Sequence, residues 1–177
     1  MNIGTLAFRP IEVNDSLVAS TVSLEAFDSA IADDVFVAAV DPEFSDTSVF
    51  CEHYQVEPGA ATNCLVVEAR RGQKIWYSVC LILASDSADV NGVIRKKLGA
   101  RKVSFAPKDV ALELTGMEYG GITPIGLPAD WDIYIDESIM NQEFIVIGGG
   151  VRGSKVAIRP MSLLELPNVQ VLDIKRT

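Results

Sequence analysis

The sequence predicts an α+β domain built around a mixed β-sheet. Apolar residues make up 49% of the 177 residues and fall in short runs broken by Asp, Gly, Ser and Pro, the pattern of buried strands and short helices. Strand-like runs sometimes follow one another directly and sometimes alternate with helix-patterned segments, which is not a strict βαβ repeat. The length lies in the range of one domain with a sizeable core, so residues 1–177 are expected to form a single domain.

Along the chain, IGTLAF is an apolar opening and a helix is expected within DSLVASTVSLEAFDSA (15–30). DVFVAAVD (34–41) reads as a strand, and DTSVFCEHYQV (46–56) as a helix capped by Asp46 or Thr47. NCLVVEARR and KIWYSVCLILA read as two buried strands, with Arg71-Gly72-Gln73 as the hairpin signal between them. SADVNGVIRKKLGA (87–100) places Val90, Val93, Ile94 and Leu98 on one helical face, with Ser87 as cap and Gly99 at the far end. Arg95, Lys96 and Arg101 fall on its other side. KVSFA is a short strand, and Pro107 opens the helix PKDVALEL. LTGMEYGGITPIG (114–126) follows, a loop with four glycines that serves either tight turns or the close approach of backbone to a ligand. WDIYID, EFIVI and SKVAIRP then read as strands, MSLLEL as a turn of helix and VQVLDI as a last strand.

No apolar run approaches the roughly 18 residues of a membrane span, and the N-terminus lacks the pattern of a secretory signal. Cys51, Cys64 and Cys80 form no CxxC pair. A reducing, cytoplasmic setting is expected. The formal charge of −9 is unevenly spread: residues 1–60 hold eleven acidic residues and only Arg9 on the basic side, whereas residues 70–108 hold nine basic residues against Asp86 and Asp89. A local positive segment can meet phosphates in an acidic protein, because distant charge is screened beyond about 8 Å at physiological salt. A solvated helix face is the alternative reading.

Little classical chemistry can be assembled. Gly148, Gly150 and Gly153 satisfy GxGxxG after a strand, but the next segment alternates like a strand and does not open the helix a dinucleotide site requires. No GK[ST] follows any glycine cluster, so a P-loop is excluded. His53 lies two residues from Cys51 on one helix, where such neighbours diverge, so a Cys-His dyad is not expected. One histidine and scattered cysteines give no metal-ligand spacing, and no cofactor or metal is expected. Asp130, Asp132 and Asp136 are spaced to share a strand face; acid–base work and strand-end solvation are both open to them. An enzyme with this inventory works by positioning and backbone hydrogen bonds.

TGMEYGGITPIG, followed by IYID and FIVIGGGVRG, resembles the YbaK-like family of aminoacyl-tRNA deacylases, which includes the editing domain of bacterial prolyl-tRNA synthetases. With VIRKKLGARKVSFA the resemblance covers residues 46–174 and leaves residues 1–45 as an acidic extension packed on the domain. It implies a mixed, curved sheet flanked by helices, and hydrolysis of the ester joining a wrong amino acid to its tRNA. It also implies that Gly120, Gly121, Ile122 and Thr123 line the pocket for the aminoacyl group and terminal adenosine, that Pro124 and Gly126 fix the turn, and that Gly148, Gly149 and Gly150 face the same cavity. Asn63, Gly121 and Asp136 are then catalytic-site residues, and Arg95, Lys96, Lys97, Arg101 and Lys102 contact the tRNA backbone, where neutralised phosphates release counterions. The acceptor end of a mischarged tRNA is the implied partner, with an aminoacyl-tRNA synthetase as a second; monomer and homodimer both remain open. One position departs from the family. Asn63 stands where a substrate-contacting lysine is expected, and an amide carries no charge. A changed substrate, rescue by another cation such as Arg152, and a binding-only protein of the same fold are the readings this leaves.

Overall fold

The structure, a computed structural model, describes residues 1–176. A small hairpin of β1 (Asn2–Ile3) and β2 (Leu6–Ala7) precedes β3 (Arg9–Pro10), α1 (Ser20–Asp28) and β4 (Val35–Ala39). α2 (Thr47–Tyr54) leads into the long hairpin of β5 (Thr62–Arg71) and β6 (Lys74–Leu83). A π-helical turn at Val90–Ile94 passes into α3 (Arg95–Lys97), followed by β7 (Lys102–Phe105) and α4 (Lys108–Thr115). Beyond the glycine loop come β8 (Asp132–Asp136), β9 (Ile145–Gly148), β10 (Ser154–Ile158) and β11 (Val169–Leu172), with 3-10 turns between several of them.

The α+β class holds, but the strands form two principal sheets. The larger is mixed and runs β11-β8-β6-β5-β7, with β8 parallel to β6 and to β11. The smaller, β3-β4-β10-β9, is antiparallel. They meet at the start of β5, where Ala61 bridges to Val146 and the Thr62 hydroxyl donates to the Val146 carbonyl at 3.0 Å. A local apolar pattern marks a strand without naming its partner, and β4 pairs with β10 across most of the chain.

Side-chain alternation explains the layering. Val66, Val79, Leu81, Ile133 and Ile135 of the large sheet and Val35, Val37, Ile147, Val156 and Ile158 of the small one share a single core, closed at one side by Val22 and Ala26 of α1. The opposite face of the large sheet packs Val67, Ala69, Cys80 and Tyr134 against Val90 and Ile94. The opposite face of the small sheet packs Ala38, Val146 and Ala157 against Phe50 and Cys51 of α2. Central strands are therefore buried on both faces and read as continuous apolar runs.

One cap assignment changes, and one holds in position without its hydrogen bond. The helix expected over residues 87–100 is capped by Asp89, whose carboxylate accepts from the N–H groups of Gly92 and Val93 at 2.8 and 3.2 Å, and not by Ser87. Asp46 occupies the N-cap position of α2, yet its carboxylate makes no cap hydrogen bond and is paired with Arg152 instead.

Candidate functional site

A cavity of about 640 Å³ opens where β5 begins. Its walls come from the first turns of α2 (Asp46, Thr47, Ser48 and Cys51), from Thr62 to Leu65 of β5, from Tyr119, Gly120 and Ile122 of the glycine loop, and from Gly148 and Lys155 on the adjoining strands β9 and β10.

The glycine loop is brought here by a stitched pair of turns. Gly121 N–H donates to the Glu118 carbonyl at 2.9 Å, Gly150 N–H donates to the Gly121 carbonyl at 2.7 Å, and Glu118 N–H donates to the Gly150 carbonyl at 2.9 Å. A side chain at Gly121 would lie 2.6 Å from the Val151 carbonyl oxygen, so this glycine exists for close packing of the two loops. Its N–H is already spent. The N–H groups of Gly120 and Ile122 donate to no protein acceptor among the described residues, and both residues line the cavity.

Lys155 is the residue that sequence reasoning missed. β10 pairs on both edges, with β4 and β9, and all five of its residues are buried. Lys155 is only 5% exposed. Its ammonium donates to the carbonyls of Ser45 at 2.8 Å and Gly120 at 3.1 Å and lies 5.1 Å from the centre of the Phe50 ring. Burial pushes its pKa down to about 8, opposed by the attraction of Asp46 and reinforced by the repulsion of Arg152. The signal available in the sequence was a single lysine within an apolar strand directly after the GGG run.

The remaining expected residues separate into those at the cavity and those elsewhere. Asn63, Gly120, Ile122 and Gly148 line it. Arg152 lies at its edge, with its guanidinium 3.0 Å from the Asp46 carboxylate and 3.1 Å from the Tyr119 carbonyl. Thr123 is fully buried with an unpartnered hydroxyl among the described residues and is not on the lining. Pro124 and Gly126 sit in a crevice beside Glu25 and Trp131, and Gly126 packs on the backbone of Thr21 and Val22 in α1. Gly149 packs against Ser154 and Gly150 against Ala19.

Asp136 is not on the cavity lining. Its carboxylate accepts from the Ser138 N–H at 3.0 Å, from the Ser138 hydroxyl, and from the Ile174 N–H at 3.0 Å. It caps the turn after β8 and anchors the C-terminal segment, away from the cavity lining. Asp132 is engaged separately by the Tyr134 hydroxyl at 3.2 Å. His53 stacks on Phe44 with ring centres 3.7 Å apart. Burial raises the Cys51 and Cys64 thiol pKa values, so neither offers a thiolate at neutral pH. Arg95, Lys96 and Arg101 line a separate groove with Arg71 at the other end of the β5–β6 hairpin; Lys97 closes α3 and Lys102 opens β7 beside them.

The sequence pattern of the aminoacyl-tRNA editing domain matches residues 41–166. The chain belongs to this family. Among its relatives, the editing domain is 34% identical over 88 residues to the uncharacterised protein YwhH of Bacillus subtilis, a match that spans 49% of this chain and 55% of YwhH. It is 27% identical over 123 residues to EbsC of Enterococcus faecalis, named as a candidate Cys-tRNA(Pro)/Cys-tRNA(Cys) deacylase, across 70% of this chain and 73% of EbsC. A crystal structure described as a candidate trans-editing enzyme for prolyl-tRNA synthetase superposes with a TM-score of 0.75, covering 89% of this chain and 96% of the other at 21% identity. That likeness shows the fold. Among the described residues, no helix is long and apolar enough to cross a membrane.

Proposed function

We propose that this editing domain acts in trans in the cytoplasm, binding the acceptor end of a mischarged tRNA and hydrolysing its aminoacyl ester. The observation that carries the reading is one cavity lined by Gly120 and Ile122, whose N–H groups meet no protein acceptor among the described residues, by Asn63 and by the buried Lys155. An ester at the tRNA 3′ end is already activated, so oriented water and a stabilised oxyanion suffice. Water adds to the ester carbonyl, the Gly120 and Ile122 N–H groups donate hydrogen bonds to the developing oxyanion, and the ribose oxygen leaves with a proton as the amino acid is released. The adjacent ribose hydroxyl and Asn63 orient the water.

Lys155 supplies the charge that Asn63 does not. Two of its three donors hold the Ser45 and Gly120 carbonyls, which leaves one for the substrate and fixes the loop that carries the oxyanion donors. In this reading β10 provides at the cavity the cation that the family resemblance expects on β5. Gly121, Thr123, Pro124, Gly126, Gly149 and Gly150 act as scaffold for the loop, and Asp136 acts as a structural anchor. Arg95, Lys96, Lys97, Arg101 and Lys102 meet the tRNA backbone, a synthetase supplies the mischarged tRNA, and the domain works as a monomer or homodimer with residues 1–45 folded into it.

Incubation with a panel of mischarged tRNAs tests this reading: release of at least one small amino acid is expected, and retention of all of them refutes hydrolysis. A non-catalytic binding module is the second reading, favoured by the one carboxylate on the lining among the described residues, Asp46, being tied to Arg152. Such a module binds the tRNA end without releasing amino acid.

A further inference from the structure

Tyr119 stands at the rim, lining both the cavity and an adjoining open groove of about 650 Å³ formed with Pro42, Lys108, Glu118, Arg152 and Gly153. It is 49% exposed, so core packing does not account for it. Two cations attend the ring. The Lys108 ammonium lies 3.8 Å from its centre and the Arg152 guanidinium 5.7 Å away.

Apart from the Tyr119 ring, Lys108 has no partner among the described residues that calls for a cation. It is the first residue of α4, where the helix dipole disfavours a cation, and it forms no ion pair among the described residues. Arg152 is held in place by Asp46 and by the Tyr119 carbonyl. The nearby acid, Glu118, is committed through its carboxylate to the Arg152 N–H at 2.6 Å. An exposed aromatic face flanked by cations, continuous with the cavity, is the arrangement that takes single-stranded nucleic acid: a base stacks and its phosphates meet the cations.

We propose that Tyr119, Lys108 and Arg152 form a subsite for the nucleotide preceding the terminal adenosine of a single-stranded RNA 3′ end. The base replaces the Lys108 ammonium over the ring, and Lys108 turns to the adjoining phosphate. The assignment of RNA as occupant rests on the function proposed above; the geometry of the ring and its two cations is independent of whether the ester is hydrolysed.

The test is fluorescence anisotropy of a labelled RNA oligonucleotide ending in CCA. Tyr119→Ala is expected to weaken binding roughly 5- to 100-fold, the range of one lost base–aromatic stack, while Tyr119→Phe, which keeps the ring, restores it. Lys108→Gln is expected to lower the slope of log affinity against log salt by roughly 0.7, one single-strand phosphate. Equal binding by wild type and Tyr119→Ala, or no binding by wild type, overturns the subsite. The two proposals fail separately. Tyr119-dependent binding with no ester hydrolysis leaves the subsite standing and refutes the deacylase, whereas hydrolysis with an unchanged KM for tRNA in Tyr119→Ala does the reverse.

Discussion

Lys155 carries a cost that its position must justify. An ammonium taken from water into a nearly closed strand environment loses hydration, and two carbonyls replace only part of it. With a native pKa of about 8 against the ordinary lysine value of 10.5, the native state releases its proton before the unfolded chain does. Between those values the unfolded state binds more protons, so stability rises with pH by as much as about 3 kcal/mol; below pH 8 the full penalty is present. Urea melts from pH 7.5 to 10.5 should show that rise in wild type and its loss in Lys155→Met. If the charged form serves the substrate, kcat/KM corrected for background hydrolysis should fall as pH passes through about 8. Asp136→Ala should behave oppositely, costing about 2 kcal/mol in a thermal or urea melt through two unmatched backbone donors, while the folded variant keeps its turnover. These contrasts show what was legible at this scale. Glycines advertise close approach because no other residue fits, so the loop stood out; a lysine in SKVAI matches an exposed alternating strand until its two neighbours β4 and β9 are known. Asp136 was legible as the end of a strand, but its carboxylate's direction was fixed by Ile174, far along the chain.

At the scale of elements, strand and helix positions were readable because apolar runs, Pro107 and the Gly72 turn mark them locally. Caps and sheet partners were not, since they depend on which competing group reaches a donor first. In residues 87–100 the Asp89 carboxylate takes two N–H groups, and a side chain at Gly92 would collide with that carboxylate. Asp89→Ala should therefore cost about 1 kcal/mol in a urea melt, and Ser87→Ala should cost close to nothing. The same competition at α2 has a functional reading. Asp46 gives up its helix cap to hold Arg152 at the cavity rim, a division of labour that a capping rule applied to sequence does not anticipate. Likewise, the partition into two sheets follows from β10 pairing with β4 on one edge and β9 on the other, with both sheets facing a shared core.

Across the whole molecule, charge and cavity are separated by the length of one hairpin. Asn63 and Arg71 lie at opposite ends of β5, which at about 3.3 Å per residue puts the basic groove roughly 26 Å from the cavity. A nucleic acid whose 3′ end occupies the cavity would extend several nucleotides before meeting Arg71, Arg95, Lys96 and Arg101. Replacing Arg95 and Arg101 with Gln should weaken tRNA binding and reduce its salt slope by roughly two, with the rate of ester cleavage at saturation unchanged. The acidic N-terminal third supplies α1, β3 and β4, so its charge lies on elements that also build the core. The role of Lys155 in ester hydrolysis is tested most directly by single-turnover release of amino acid from the mischarged tRNA panel by wild type and by Lys155→Met, each confirmed as folded. That role predicts release by wild type from at least one tRNA and a loss of roughly 100-fold or more in the variant, the size of a preorganised charge interaction at the reacting centre. Equal rates in the two proteins, or no release by either, would contradict it.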